Sequence, residues 1–253
     1  MPLLERAKTF AGISVDSIGL RYMELSGTLG KLSCRYALIP VFPPPVCQDL
    51  LVDATGLLPA IAALKKEIGG FSAPVSLGLP SRDCCMRAIE LPPMKLEEAR
   101  AAMAFELEGH FRFSASEATY DMAPVELPGS EGRSVFLVAA SRRKTVEVLM
   151  DLASKGDLPL QALEPANLAA FRAVLGPAES KGGFMALILE RETAQLMVAY
   201  NDNGIFFRTL PFSFKNFPLL EGVSALAKEV ASTVTGMERM FKELKVKALV
   251  LYG

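Results

Sequence analysis

The sequence predicts an α/β protein: a duplicated α/β unit with an α+β segment inserted between the copies. Three observations carry this. Two stretches, one starting near Gly12 and the other near Phe184, open alike, with three apolar strands and then a helix. Between them, over 73–156, strands and helices follow a different order. The 253 residues are 51% apolar and 22% charged, which is enough to bury a sizeable core and excludes a disordered chain.

Residues 12–25 (GISVDSIGLRYMEL) read as strand, tight turn and strand, because Ser14, Asp16, Ser17 and Gly19 supply turn chemistry between apolar residues. A third strand, 31–41, ends at Pro43-Pro44-Pro45. Residues 48–68 have helical spacing, with Leu57, Leu58, Ile61, Leu64 and Ile68 on one face and Gly69-Gly70 as the stop. Two short strands follow at 74–80 and 84–91, the second broken by Pro92-Pro93. Residues 94–109 (MKLEEARAAMAFELEG) are rich in Ala, Glu and Leu and predict a helix. Strands are expected at 119–126 and 134–141, a helix over 142–155 closed by Gly156, a strand over 158–163, and a helix over 165–175 ended by Gly176-Pro177. The pattern restarts after Lys181-Gly182-Gly183, with strands at 184–190, 193–200 and 204–210 and a hairpin turn at 201–204 (NDNG). A long helical region, 219–244, and a strand, 247–252, complete the chain.

The charge balance, 27 Lys+Arg against 28 Asp+Glu, argues against a nucleic-acid binder, which carries a basic excess. Glu5, Arg6 and Lys8 interrupt any secretory h-region, and no run approaches the roughly 20 apolar residues of a membrane span. A soluble chain is expected, with a membrane anchor beyond Gly253 left open. Cys34, Cys47, Cys84 and Cys85 lack CxxC spacing and are expected to be reduced and mostly buried. The single histidine, His110, is expected to have a surface or structural role, and no metal site is expected.

Seven segments stand in a definite order: 12–21 (GISVDSIGLR) with Met23-Glu24-Leu25; Arg87-Ala88-Ile89-Glu90-Leu91-Pro92; 105–113 (FELEGHFRF); Tyr120-Asp121; Val138-Ala139-Ala140-Ser141-Arg142; Leu163-Glu164-Pro165; and Phe207-Arg208. Their order and spacing resemble the PilM family of actin-like cytoplasmic proteins of type IV pilus assembly. The counterparts there read GIDIGSSSVKxxEL, R-x-I-x-LP, WEAEQYIPF, an aspartate-bearing strand, VAARK, IEP and F-x-R. The chain is similar, more distantly, to the cell-division protein FtsA and to the cytoplasmic domain of the type II secretion protein GspL.

The resemblance implies an actin-like (ribonuclease H-like) two-domain fold. Subdomain 1A would begin at 1–72 and return at 157–181. An inserted 1C subdomain, 73–156, would replace the 1B of actin. A second half (2A/2B) would occupy 182–253, incomplete because relatives continue past Leu251-Tyr252-Gly253. It further implies a cytoplasmic scaffold at the inner face of the inner membrane. Such a scaffold would hold the N-terminal tail of a PilN-like membrane protein in a groove between 1A and 1C. Candidate groove elements are 87–91, 134–140 and the helix 94–109, with Arg87, Ile89, Leu91, Phe105 and Val138 as candidate residues. Two alternatives stand beside it: a GspL-like domain that docks a secretion ATPase, and an active actin-like ATP-binding protein.

In actin-like ATPases, two hairpin turns clamp the nucleotide phosphates. They offer an acid for Mg²⁺, glycines for close backbone approach and hydroxyl donors. In the first turn of this chain Ser14 replaces the aspartate, Asp16 replaces the glycine and Arg21 replaces the lysine, with Ser17 and Gly19 between them. In the second, Leu189-Glu190-Arg191-Glu192-Thr193 stands at DIGxxxT, with Leu189 in the aspartate's place and no glycine. Lys228 and Glu229 stand where relatives contact adenosine. The expectation is a degenerate site with no hydrolysis and no ATP–Mg²⁺ cofactor, residual contact through Ser17, Gly19 and Arg21 remaining open.

Overall fold

The computed structural model describes residues 8–28, 31–47, 50–51, 54–127, 129–175, 182–191, 193–210, 212, 220–241 and 243–252. In chain order the elements are β1 (Lys8–Val15), β2 (Gly19–Thr28), β3 (Lys31–Pro40), β4 (Val46–Cys47), β5 (Leu50–Leu51), α1 (Leu57–Ile68), β6 (Val75–Leu79), β7 (Cys84–Leu91), α2 (Leu96–His110), β8 (Ala118–Pro124), β9 (Ser134–Arg142) and α3 (Arg143–Lys155). Then come β10 (Leu160–Pro165), α4 (Ala166–Leu175), β11 (Gly183–Leu189), β12 (Ala194–Tyr200), β13 (Asn203–Leu210), α5 (Leu220–Met240) and β14 (Val246–Tyr252). The chain divides into two compact units, residues 1–83 with 143–166 and residues 84–142 with 167–253.

The first unit holds a five-stranded sheet in the order β10-β6-β1-β2-β3. Strands β1, β2 and β3 form an antiparallel meander, and β6 returns parallel to β1 through α1. Helix α1 buries Leu57, Ala60, Ile61, Leu64 and Ile68, the three-and-four spacing of a single apolar stripe. It ends where Gly69 turns left-handed (φ 68°), and the Gly70 N–H donates to the carbonyl of Lys65 at 2.9 Å.

The second unit repeats this plan. Strands β11, β12 and β13 form an antiparallel meander, and β14 returns parallel to β11 after α5. Six of the seven residues of β12 are buried, as a central strand covered on both faces requires. Leu226, Met237 and Phe241 pack with Met185, Leu187, Leu196 and Val198 in one core. The sheet continues beyond β13 into the inserted strands, giving the order β14-β11-β12-β13-β7-β9-β8, joined where Phe206 pairs with Arg87. Helix α2 covers part of that extension: Ala99, Met103 and Leu107 share a core with Ile89, Leu91, Met122, Phe136 and Val138.

The boundaries differ from the expected ones for physical reasons. The segment expected as an insertion, 73–156, is divided between the units: 84–142 falls with 167–253 in the second, and 73–83 and 143–156 fall in the first. Strand β6 belongs to the first sheet because it lies between β1 and β10, parallel to both. Helix α3 falls in the first unit, and most of α4, expected in the returning 1A segment, falls in the second. The helix expected from 48 begins at Leu57; ahead of it, β4 and β5 pair with each other. Residues 48 and 49, the helix stop Gly176-Pro177, Lys181 at the restart of the pattern, Glu192 of the second turn, the helix start at 219 and the terminal Gly253 lie outside the described residues. The cysteines are less buried than expected: Cys34 and Cys85 are exposed and Cys84 is buried. The side chain of Cys47 is outside the described set. Among the described residues no helix is long and apolar enough to cross a membrane.

Candidate functional site

The first hairpin turn links β1 to β2. Val15 pairs with Leu20, and the Asp16 N–H donates to the carbonyl of Gly19 at 3.1 Å. Only glycine fits position 19: a Cβ there would lie 2.0 Å from the carbonyl oxygen of Ile39. The Asp16 side chain folds back onto its own turn. Its Oδ1 accepts from the N–H of Ile18 at 2.8 Å and of Gly19 at 3.2 Å, and its Oδ2 accepts from Nε of Arg21 at 2.5 Å. That hydrogen bond is the largest cause raising the Arg21 pKa, and Nη1 of Arg21 reaches the Tyr36 hydroxyl at 3.4 Å. Ser14, directly opposite Arg21, sits on β1, and Ser17 is at the tip of the turn.

The second hairpin turn links β11 to β12 with the same geometry. Leu189 pairs with Ala194, and the Glu190 N–H donates to the carbonyl of Thr193 at 2.8 Å. Oε2 of Glu190 accepts from the Thr193 hydroxyl at 2.8 Å and from Nε2 of Gln195 at 3.3 Å. Thr193 and Gln195 are both buried. The pairing register makes Glu190 the counterpart of Asp16, Gln195 the counterpart of Arg21, and Ile188, not Leu189, the counterpart of Ser14. Ile188, one position before Leu189, thus stands opposite Gln195 as Ser14 stands opposite Arg21.

A phosphate needs unclaimed N–H donors and no fixed negative charge at the same spot. The Ile18 and Gly19 amides and the Arg21 guanidinium already serve the Asp16 carboxylate, and the Glu190 carboxylate faces its own turn. The polar groups of both turns are thus engaged within the turns themselves. Of the candidate adenosine contacts, Lys228 is exposed, and Glu229 is held by Arg208, whose Nη2 lies 2.9 Å from its Oε2. Among the described residues no cluster of three or more His, Cys, Asp or Glu side chains is placed to hold a metal.

The five candidate groove residues fall into two groups. Ile89, Leu91 and Val138 are buried in the core beneath α2 and offer nothing to a partner. Arg87 is exposed on β7, and Phe105 on α2 is 89% exposed. Tyr120 and Asp121 anchor α2 instead: the Tyr120 hydroxyl donates to the carbonyl of Arg100 at 2.8 Å, and Arg100 pairs with Asp121 at 2.6 Å.

One surface was missed. In register across the first sheet, Phe10 on β1 faces Leu25 on β2, Leu25 faces Cys34 on β3, Met23 faces Tyr36 and Arg21 faces Leu38. Phe10, Met23, Leu25, Leu32, Cys34, Tyr36 and Leu38 are all exposed and lie on one side of three adjacent strands. The opposite side carries Ile13, Val15, Leu20, Tyr22 and Ala37, all buried. Both faces of this meander are therefore apolar, a signal present in the alternation of the sequence. At the buried side, Glu24 accepts from Tyr22, Arg35 and Ser72, and these bonds hold its carboxyl down at about 2.

No protein-family model and no curated protein matches the chain. Solved structures do. A chain of the PilM–PilN type IV pilus biogenesis complex aligns with a TM-score of 0.71 at 21% identity, covering 96% of this chain and 81% of that one. The cytoplasmic domain of EpsL, an inner membrane component of the type II secretion system of Vibrio cholerae, aligns with a TM-score of 0.53 at 12% identity, covering 84% and 74%. With its two meander-and-return units and its inserted strands, the chain has the PilM-like, actin-like α/β fold.

Proposed function

We propose that the protein is a cytoplasmic scaffold of a type IV pilus assembly platform, working at the inner face of the inner membrane. It holds the cytoplasmic tail of a PilN-like membrane protein and turns over no nucleotide. The carrying observation is the apolar face of the first sheet, where seven apolar side chains from three strands are exposed together. A continuous apolar patch of this kind marks a protein-binding surface rather than a small-molecule pocket. The likeness to the PilM–PilN complex supplies the kind of partner.

The likeness to the EpsL domain favours a second reading, a type II secretion component that docks a secretion ATPase. One experiment separates the two. The PilN-like tail peptide and the N-terminal domain of the secretion ATPase are titrated in parallel into the protein. Saturation by the peptide alone supports the pilus reading, and saturation by the ATPase domain alone supports the other. Weakening of peptide binding by Met23→Glu or Tyr36→Glu places the contact on the apolar face.

A further inference from the structure

We infer that Asp16 and Glu190 are built-in anions that set the hairpin turns of the two units, so that neither turn depends on a bound phosphate. Both acids immediately follow the first strand of their meander, and each donates its own N–H to the carbonyl three residues on. Each also turns its carboxylate onto the side chain five residues on, Arg21 in one case and Gln195 in the other. The residues between differ completely: Ser17-Ile18-Gly19 in the first turn, Arg191-Glu192-Thr193 in the second. An acid at the same place in the turn thus recurs among unrelated neighbours, with different donors in each. In the first turn the carboxylate takes two backbone amides and a guanidinium; in the second it takes a hydroxyl and an amide.

The physical consequence follows from tethering. A carboxylate attached to the turn acts at a high effective concentration and is present whatever the cellular nucleotide level. A free phosphate has to displace it from its donors and then sit beside its negative charge. The turn conformation is therefore fixed by the sequence and indifferent to nucleotide. This rests on the part of the proposed function that dispenses with nucleotide, and not on the identity of the partner; its test contains no partner.

The test is anion rescue. Thermal unfolding of the wild type, Asp16→Ala and Asp16→Asn is followed with Mg-ATP, with tripolyphosphate, and with chloride at matched ionic strength. The wild type should show no shift with any of them. Asp16→Ala should unfold about 3–6 °C lower and regain part of the loss with tripolyphosphate but not with chloride, because the amides of Ile18 and Gly19 and the Arg21 guanidinium are released. Asp16→Asn keeps an acceptor for the two amides and should lie between the two, which keeps the test decisive if the alanine variant fails to fold. Stabilisation of the wild type by Mg-ATP overturns the inference. So does an Asp16→Ala protein that is as stable as the wild type and unresponsive to tripolyphosphate.

Discussion

Nε of Arg21 lies 2.5 Å from Oδ2 of Asp16, across a turn whose amides hold the other oxygen of the same carboxylate. Both side chains are about one-third exposed, so solvent screens the pair. Arg21→Ala should therefore cost only about 1 kcal/mol and leave the Asp16 cap on the amides intact. The denaturation midpoints of the two proteins should converge as salt rises. A difference that stays constant from low to high salt would show that packing of the arginine stem, not charge, is what is lost.

Glu24 gives the pH dependence. Its carboxyl is held at about 2 by hydrogen bonds from Ser72 and Tyr22 and by Arg35, against an ordinary 4.5. A depressed carboxyl stabilises the fold fully above its ordinary range, and that contribution is lost as pH falls from about 4.5 toward 2. The Arg35 side chain is 39% exposed, so screening trims the gain to on the order of 2 kcal/mol. Unfolding free energy measured from pH 7 down to pH 3 should fall along this limb, and Glu24→Gln should start lower and flatten it. An unchanged slope in the variant rules Glu24 out as the source.

Ile89 and Phe105 separate core from surface within the predicted groove set. Ile89 is 4% exposed and Phe105 is 89% exposed. Ile89→Ala should cost about 2–4 kcal/mol through the cavity it leaves, while Phe105→Ala should stay within about 0.5 kcal/mol of the wild type. Urea titrations of the two variants check this. Comparable losses would mean that Phe105 is packed.

Much of the architecture was legible because it is local. The meanders show as apolar runs split by turn residues, and the α1 stripe shows in the spacing of Leu57, Ile61, Leu64 and Ile68. What was not legible depends on contacts distant in sequence. Strand β6 reads as a short apolar run, and nothing in it announces parallel pairing with β1, some sixty residues earlier. Alternation along β7 and β9 tells which residues share a face, but not that α2 covers the half carrying Ile89, Leu91 and Val138. At the turns, Asp16 was legible as turn chemistry, since a short acid reaches the amides two and three residues on. Glu190 carries no such local signature, because its partners, Thr193 and Gln195, become neighbours only once β11 and β12 pair.

The most direct test of the account is a calorimetric titration of the PilN-like tail peptide into the purified protein, with and without Mg-ATP. The account predicts saturable one-to-one binding with the same affinity in both solutions, because the turns of both units are set by Asp16 and Glu190. No binding, or binding that appears only when Mg-ATP is present, would contradict it.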